Sequence, residues 1–530
     1  MKTKNFESIS ISFVFVFLFW MGIRFSFHLD SVVSLISAIL LLTAIVVIKR
    51  AAVKLSACLS GSQCGSVANS VGSFVSFNFP VCLAFIWLLV YFAAFPGYFC
   101  YDTNWFFAYA NDGVLTTYQS AFQCFVIGSL LKLFMRVFNS VNCSIALITF
   151  LHMTICYLLS VASFALVDKL SLKEGATVSP DRKMIIAKIF FLLCPIVWMF
   201  SVCTSKDSLC SFLIMLIVAL YIKMSYEGMN LLCAAGCIVC LVLCIFYRNN
   251  VLPALLLFLV VCLIVFRSEL LHRYSYIPIT LITSLLLYFL LNSIFISSLG
   301  VQDVDHKMEM ISIPAVEIAR VCSSNEDFCR YVDGSMIDSA YLVEMYNRNN
   351  SSSDNIRYIF EPLISSENGM KKFILMWLKA RSVAFGECVI ADLKITEPAW
   401  NIFSPMAGYR GVSTSFDYDT TPTSGFAAWC EFPGEQQSLI PLISSYIYRL
   451  SRFNTISNNG PLFFVVSVAP YNFLLLYFLI RSFFKSDKTT FVCCLLLCSL
   501  VISVLLGPVV LLRYYLPVVL CLPLIFSIDR

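Results

Sequence analysis

Long apolar runs, separated by short polar loops, make up most of the chain. Runs of about 20 residues match the length that an α-helix needs to cross a bilayer. This pattern predicts twelve spans, at 8–27, 31–48, 79–96, 143–166, 184–202, 207–223, 230–246, 251–266, 277–297, 461–482, 490–506 and 509–527. The sequence therefore predicts an all-α polytopic membrane protein. Its parts are a transmembrane region at 1–297, a mostly helical extracytoplasmic insert at 298–460, and a C-terminal three-span region at 461–530.

The composition supports the membrane class and divides the charge unevenly. Hydrophobic residues make up 59% of the chain and charged residues only 13%, against about 25% in soluble proteins. The insert carries 13 basic and 19 acidic residues, a net charge of −6, so the remaining 23 basic and 12 acidic residues give +11. A basic membrane part with an acidic insert indicates orientation by positive charge and not nucleic-acid binding.

The run 119–138 could be a further span or a helix lying in the membrane interface. If it lies in the interface, sixteen basic residues fall on the cytoplasmic side, and the short outer loops hold only Arg24, Lys206, Arg248 and Arg513. If it spans, the bias towards the cytoplasm disappears. We therefore expect an interfacial helix within the outer loop 97–142, both termini in the cytoplasm and the insert outside.

The insert holds two segments with helical spacing, around 336–348 and 368–385, and Asn368 stands where a helix cap would be. It also holds four cysteines, Cys322, Cys329, Cys388 and Cys430. Two disulfides, with Cys322–Cys329 the pair closest in sequence, and four free thiols are both compatible with this number.

One carboxylate stands out beside the third predicted span. Asp102 follows the "FPG" that ends the span and lies among aromatic residues in "FPGYFCYDTNWFFAYANDG". A partly desolvated carboxylate there would suit a general base, and the rings could stack on a sugar. An interfacial aromatic belt with a solvated acid explains the same residues. Asp112, next to Gly113, is better explained as part of a turn.

Polar residues at other predicted span ends lie on the same side as Asp102. They are Lys206 and Asp207, Arg248 with Asn249, and Arg513 with Tyr514. Each has a local explanation, as an ion pair, an interface anchor or a packing residue. Together, arginine and lysine with amide donors would suit a phosphate or pyrophosphate group.

The order of these motifs resembles that of the GT-C superfamily of membrane glycosyltransferases, and of a bacterial multi-pass branch within it. The resemblance covers about 80–527 and rests on "FPGYFCYD", "SKDS", "YRNN", "SIPAVEIARVC" and "LRYYLP". It implies that Asp102 is the catalytic base and that Arg248 and Arg513 lie near the donor phosphate. It further implies that Lys206, Asp207, Glu317 and Arg320 line the same cavity.

The chain departs from the resemblance at one point. Relatives commonly carry a His-Pro pair where this chain has Tyr118 and Gln119, which leaves a degenerate, non-catalytic relative as one alternative. No firm metal site is evident, although Asp102 and Asp112 could share a divalent cation, as in some GT-C enzymes.

The leading functional prediction is a plasma-membrane glycosyltransferase. It would pass a sugar from a polyprenyl-phosphate donor to a glycan, lipid or protein acceptor on the outer face. One alternative is an enzyme like the O-antigen ligases or polymerases, which would not need an acid after the third span. Another is a lipid or solute transporter, against which the sequence shows no inverted repeat.

Overall fold

The structure is a computed structural model that describes residues 2–28, 30–43, 74, 77–98, 104–173, 182–267, 274–348, 352–407 and 437–529. Helices dominate these residues, and the strands in them form one antiparallel pair, Met406–Ala407 with Phe453–Asn454. The predicted all-α class is confirmed.

The helices are numbered in chain order. Those before the insert are α1 Lys2–Phe27, α2 Ser31–Thr43, α3 Phe79–Ala93, α4 Asn104–Asp112, α5 Ala121–Phe138, α6 Val141–Lys173, α7 Arg182–Leu193, α8 Pro195–Ser201, α9 Lys206–Glu227, α10 Leu231–Tyr247, α11 Val251–Val265 and α12 Tyr276–Leu299. Those of the insert are α13 Lys307–Met310, α14 Ser312–Ser324, α15 Glu326–Asp333, α16 Ser339–Arg348, α17 Asp354–Arg357, α18 Glu361–Ile364, α19 Gly369–Trp400, α20 Pro441–Arg452 and α21 Ile456–Asn459. The last helices are α22 Leu462–Val465, α23 Ala469–Lys485, α24 Lys488–Leu505 and α25 Leu516–Ile528, with a 3₁₀ turn at Leu512–Tyr515.

Within the described ranges, six helices are long and apolar enough to cross a membrane: α1, α5, α6, α9, α12 and α24. The pair α7 and α8, bent by 58°, would be a seventh. Other predicted spans are shorter apolar helices, such as the 15-residue α3 and α11. At 1.5 Å per residue these cover about 23 Å, less than the roughly 30 Å of a bilayer core. A membrane-embedded protein is supported, but twelve spans are not confirmed. Because α5 also has the length of a span, its interfacial position stays a prediction.

Helix α9 is the centre of the membrane bundle. In its most apolar stretch of 18 residues, 89% of the residues are buried. The helix packs against α6, α10 and α25. The side-chain oxygen of Ser205 caps its first turn by accepting from the backbone N–H of Ser208 at 3.1 Å. The helix therefore begins at a well-defined point, with Lys206 and Asp207 in its first turn.

The insert has a hydrophobic core of its own, in which α14 packs along α19. Asn368 holds the N-cap position of α19 with φ +55°, but its side chain makes no capping hydrogen bond. The helix is kinked at Ala384, where φ and ψ are −145° and 60°. Cys322, Cys329 and Cys388 are free thiols, and Cys430 lies outside the described residues.

Two ion pairs hold α14 against α19. The fully buried carboxylate of Glu317 contacts Arg381 at 2.6 Å and accepts from the indole N–H of Trp377 at 2.9 Å. Arg320 donates to Glu387 at 2.6 Å. Both pairs lie close to the kink, so they connect its two sides to one face of α14.

A pH dependence of stability follows from Asp392, on the same helix. Burial and, to a smaller extent, the neighbouring negative charge of Glu317 raise the pKa of the Asp392 carboxyl to about 7. The unfolded chain releases this proton near the ordinary carboxyl pKa of about 4, whereas the folded state keeps it up to about pH 7. The folded state therefore loses stability as the pH rises from about 4 to about 7. We expect Asp392→Asn to melt at a higher temperature than wild type at mildly alkaline pH.

The measurement is thermal unfolding of the full-length protein in detergent across this pH range. The difference between Asp392→Asn and wild type should vanish in acid, where wild-type Asp392 is already protonated. Glu326→Gln is the control, because that carboxylate is 94% exposed. A difference that persists unchanged in acid would show that the effect is not one of ionisation.

Candidate functional site

A buried carboxylate between two arginines is the centre of the site. The side chain of Asp207 is fully buried, and its Oδ1 lies 2.9 Å from a terminal guanidinium nitrogen of Arg248. Its Oδ2 lies 3.5 Å from Nε of Arg513. The two arginine side chains are also nearly inaccessible, at 8% and 4% exposed. One negative charge therefore holds two positive charges at the same end of the bundle.

The three residues meet because of where their helices begin and end. Asp207 lies in the first turn of α9, where a negative charge is stabilised by the helix dipole. Arg248 is the first residue after α10, in an extended conformation, and Arg513 lies in the 3₁₀ turn before α25. Both helices pack on α9, which brings their ends together.

Tyr514 orders the same two arginines from another side. The guanidinium carbon of Arg248 lies 4.6 Å from the centroid of its ring, and that of Arg513 lies 5.1 Å away. Such cation–π contacts contribute about 0.5–2 kcal/mol each. The arginines are thus constrained both by the carboxylate and by the ring.

This cluster forms one wall of a cavity of about 530 Å³. The membrane region contributes Lys206, Arg248, Asn249, Arg513 and Tyr514, together with Tyr118 and Gln119 from the loop before α5. Asp207 is not itself among the lining residues and lies behind the arginines. The predicted phosphate-binding residues are therefore brought together around one space.

Tyr118 and Gln119 both have hydrogen-bonding partners in this cavity. Gln119 accepts a hydrogen bond from Lys206, and the Tyr118 hydroxyl lies 3.3 Å from that of Tyr358. Burial, with the adjacent Tyr358 hydroxyl, raises the pKa of Tyr118. Tyr118 therefore stays a neutral phenol, able to donate a hydrogen bond.

The opposite wall comes from the insert and was missed by the sequence reasoning. His306, Glu309, Asp354, Arg357 and Tyr358 line the cavity from α13, α17 and the segments beside them. Arg357 is 5% exposed, pairs with Asp354 at 3.2 Å and donates to Ser312 at 3.3 Å. The only local signal was the i, i+3 spacing of Asp354 and Arg357, which is common on exposed helices.

A second, less polar cavity of about 300 Å³ adjoins the first. The two share the residues Gln119, Ser120, Asn249 and His306. Aromatic side chains from α5, α10 and α12 line the second cavity: Phe122, Phe246, Tyr288 and Phe295. A cationic space therefore opens beside one that is lined by aromatic side chains and also by the polar residues Asn292 and Asp303.

Glu317 and Arg320, predicted to line the same cavity, lie elsewhere. Neither is among the residues that line it, and both are engaged in the ion pairs between α14 and α19. The apolar residues of α14 pack in the insert core, where α14 lies along α19. Glu317 and Arg320 therefore find their charged partners on α19. The placement of these two residues in the cavity is therefore corrected.

Asp102, the predicted base, lies outside the described residues. Described residues on either side of it in the chain lie near the site. Tyr98 donates its backbone N–H to Val202 at 2.9 Å and accepts from Thr204 at 3.0 Å, just before Lys206. The ring of Trp105 lies 5.1 Å from that of Tyr118. The described residues Tyr98 and Trp105 thus lie beside the cavity.

The predicted metal alternative stays untested. Asp112 ends α4, is exposed and accepts from the Asn111 amide at 3.1 Å, and Gly113 follows with φ +72°. Within the described ranges no group of three or more His, Cys, Asp or Glu side chains is arranged to hold a metal ion. Sharing of a divalent cation between Asp102 and Asp112 remains a prediction.

Comparison of the chain with protein-family models, with curated proteins and with solved structures gives no match.

Removing the central carboxylate tests how much the cluster depends on it. Asp207→Asn leaves two buried guanidinium groups without their counter-ion, and breaking a buried pair from one side costs about 3–5 kcal/mol. We expect a clear fall in the melting temperature of the protein in detergent. Glu344→Gln is the matched control: the carboxylate is 52% exposed and its partner Arg348 is 70% exposed, so water can replace the lost contact. Equal losses in the two variants would contradict the central role of Asp207.

Proposed function

We propose that this protein is an integral membrane glycosyltransferase that moves a sugar from a polyprenyl-phosphate donor to an acceptor on the outer face. The observation that carries the proposal is the adjacency of a cationic cavity, whose arginines are held by Asp207, and an aromatic cavity. An amphiphilic substrate with an anionic head and an apolar chain fits such a pair of spaces.

The cationic cavity supports binding of the phosphate. Arg248 and Arg513 present fixed guanidinium groups, and Arg357 adds a third from the insert. Phosphate oxygens suit guanidinium donors because the charge-assisted hydrogen bonds are short and can be bidentate. Lys206 and the amide of Asn249 add further donors on the same wall.

The aromatic cavity supports binding of the first part of the lipid chain. The ring of Phe122 lies 5.0 Å from that of Phe246 and 5.8 Å from that of Phe295, which makes a continuous apolar surface. Burial of a hydrocarbon contributes about 25 cal/mol per Å². A substrate bound across both spaces would have its phosphate at the junction near Asn249.

The proposed reaction is an inverting displacement. The acceptor hydroxyl attacks the anomeric carbon as the bond from that carbon to the phosphate oxygen breaks. Asp102 takes the hydroxyl proton, and the electron pair leaves with the lipid phosphate. Arg248 and Arg513 stabilise the negative charge that develops on this leaving group. Asp207 acts on the reaction only by positioning the two arginines.

The ligase or polymerase alternative shares the arginines but not the base. A transporter would use the same cavities for binding without covalent change. A degenerate relative would keep the fold and bind without transfer. Asp102 therefore distinguishes the first alternative, and transfer itself distinguishes the other two.

The test is sugar transfer by the purified protein in proteoliposomes, with a panel of radiolabelled polyprenyl-phosphate sugars and crude membrane acceptors. Asp102→Asn should lower the rate by at least the roughly 10²–10⁴-fold that general base catalysis supplies. Arg248→Gln should lower it by about 10²–10³-fold, the usual effect of removing one group that stabilises developing charge.

Arg136→Gln is the control for Arg248→Gln, because Arg136 is exposed on α5 and does not line the cavity. It should transfer at the wild-type rate. Full activity in Asp102→Asn would favour the ligase alternative. No transfer from any donor in the panel would overturn the glycosyltransferase proposal.

A further inference from the structure

Helix α20 is attached to the end of a membrane helix. The backbone N–H of Gln437 donates to the carbonyl of Phe95 at 3.0 Å, and that of Leu439 donates to the carbonyl of Phe92 at 3.0 Å. These carbonyls belong to the last turn of α3 and the residues just beyond it. The chain then enters α20, which packs on α3. The helix therefore begins at the level where α3 ends.

Only one side of α20 is buried by the protein. Ser444, Ile447 and Leu450 are at most 9% exposed and face the fold. On the other side Leu442 is 81% exposed, Tyr446 is 39% exposed, and Leu439 just before the helix is 63% exposed. Single exposed apolar residues are common on soluble proteins, so this exposure alone decides nothing.

The exposed residues continue an apolar stripe on α3. Val81, Phe85, Leu88 and Phe92 recur at spacings of four, three and four residues, so they share one helix face, and all are 38–67% exposed. In a membrane-embedded protein an apolar face of this kind on an apolar helix is turned towards lipid. The backbone of Leu439 is hydrogen-bonded to that of Phe92, so the exposed apolar stripe continues from α3 to Leu439 and α20.

The charges of α20 also suit a lipid surface. Its sequence, PLISSYIYRLSR, holds two arginines, Arg449 and Arg452, and no acidic residue, although the insert as a whole has a net charge of −6. Two tyrosines, Tyr446 and Tyr448, are the kind of residue enriched where headgroups meet acyl chains. Basic and apolar residues on one short helix are typical of segments lying in the interface.

We propose that α20 is an interfacial helix that rests in the lipid headgroup layer, with Leu439, Leu442 and Tyr446 against the acyl chains. Arg449 is exposed, donates to the carbonyl of Asn458 and places its positive charge at the level of the lipid phosphates. The partner of this surface is the phospholipid of the surrounding bilayer. This inference is independent of the glycosyltransferase proposal.

The test uses the full-length protein in liposomes of zwitterionic and anionic phospholipid, with the photoreactive residue p-benzoylphenylalanine at position 442. Irradiation followed by mass spectrometry should show a phospholipid adduct on the peptide that contains this position. The matched control carries the same residue in place of Tyr341, which is 48% exposed on α16 of the insert. We expect severalfold more phospholipid adduct at position 442 than at position 341.

A second probe in place of Leu439 guards against a local effect of the first, and it should also label lipid. A crosslinked dimer in place of the lipid adduct would show that the surface binds a second copy of the chain and would overturn the proposal. Equal labelling at positions 442 and 341, or no lipid adduct at either 439 or 442, would overturn it as well.

Discussion

The carboxylate of Asp207 is the group on which the rest of the site depends. A fully desolvated charge is stable only when opposite charges replace its water, and here two arginines from distant parts of the chain do so. The start of α9, the end of α10 and the turn before α25 must therefore stay together. Because the buried helix α9 carries the carboxylate, the arginines are fixed relative to the whole bundle.

The insert completes the cavity through a small number of backbone contacts. Gln302 donates to Leu115 and accepts from Thr117, both at 2.9 Å, which attaches the end of α12 to the loop before α5. Ser353 donates to the carbonyl of Pro508 at 3.0 Å, close to the turn that carries Arg513. These bonds place Arg357 and Tyr358 opposite the membrane arginines. The cavity is therefore a joint product of the insert and the bundle.

Much of the architecture could be predicted because it depends on local patterns. Apolar runs predict α6, α9 and α12, and helical spacing predicts α16 and the first part of α19. The cations at the ends of the predicted apolar runs do converge, because helix ends on one side of a bundle lie near one another. The lengths of α3 and α11 could not be predicted in this way, since an apolar run does not determine where a helix begins and ends.

The sequence by itself determined the membrane class, most helices and the meeting of Lys206, Arg248 and Arg513 around one space. Only the tertiary structure decided that Asp207 lies behind the arginines, that Arg357 joins them, and that Glu317 and Arg320 belong to the insert core. The physical reason is that hydropathy and helical periodicity act over a few turns. The partner of a buried charge is chosen by long-range packing, which brings together residues hundreds of positions apart.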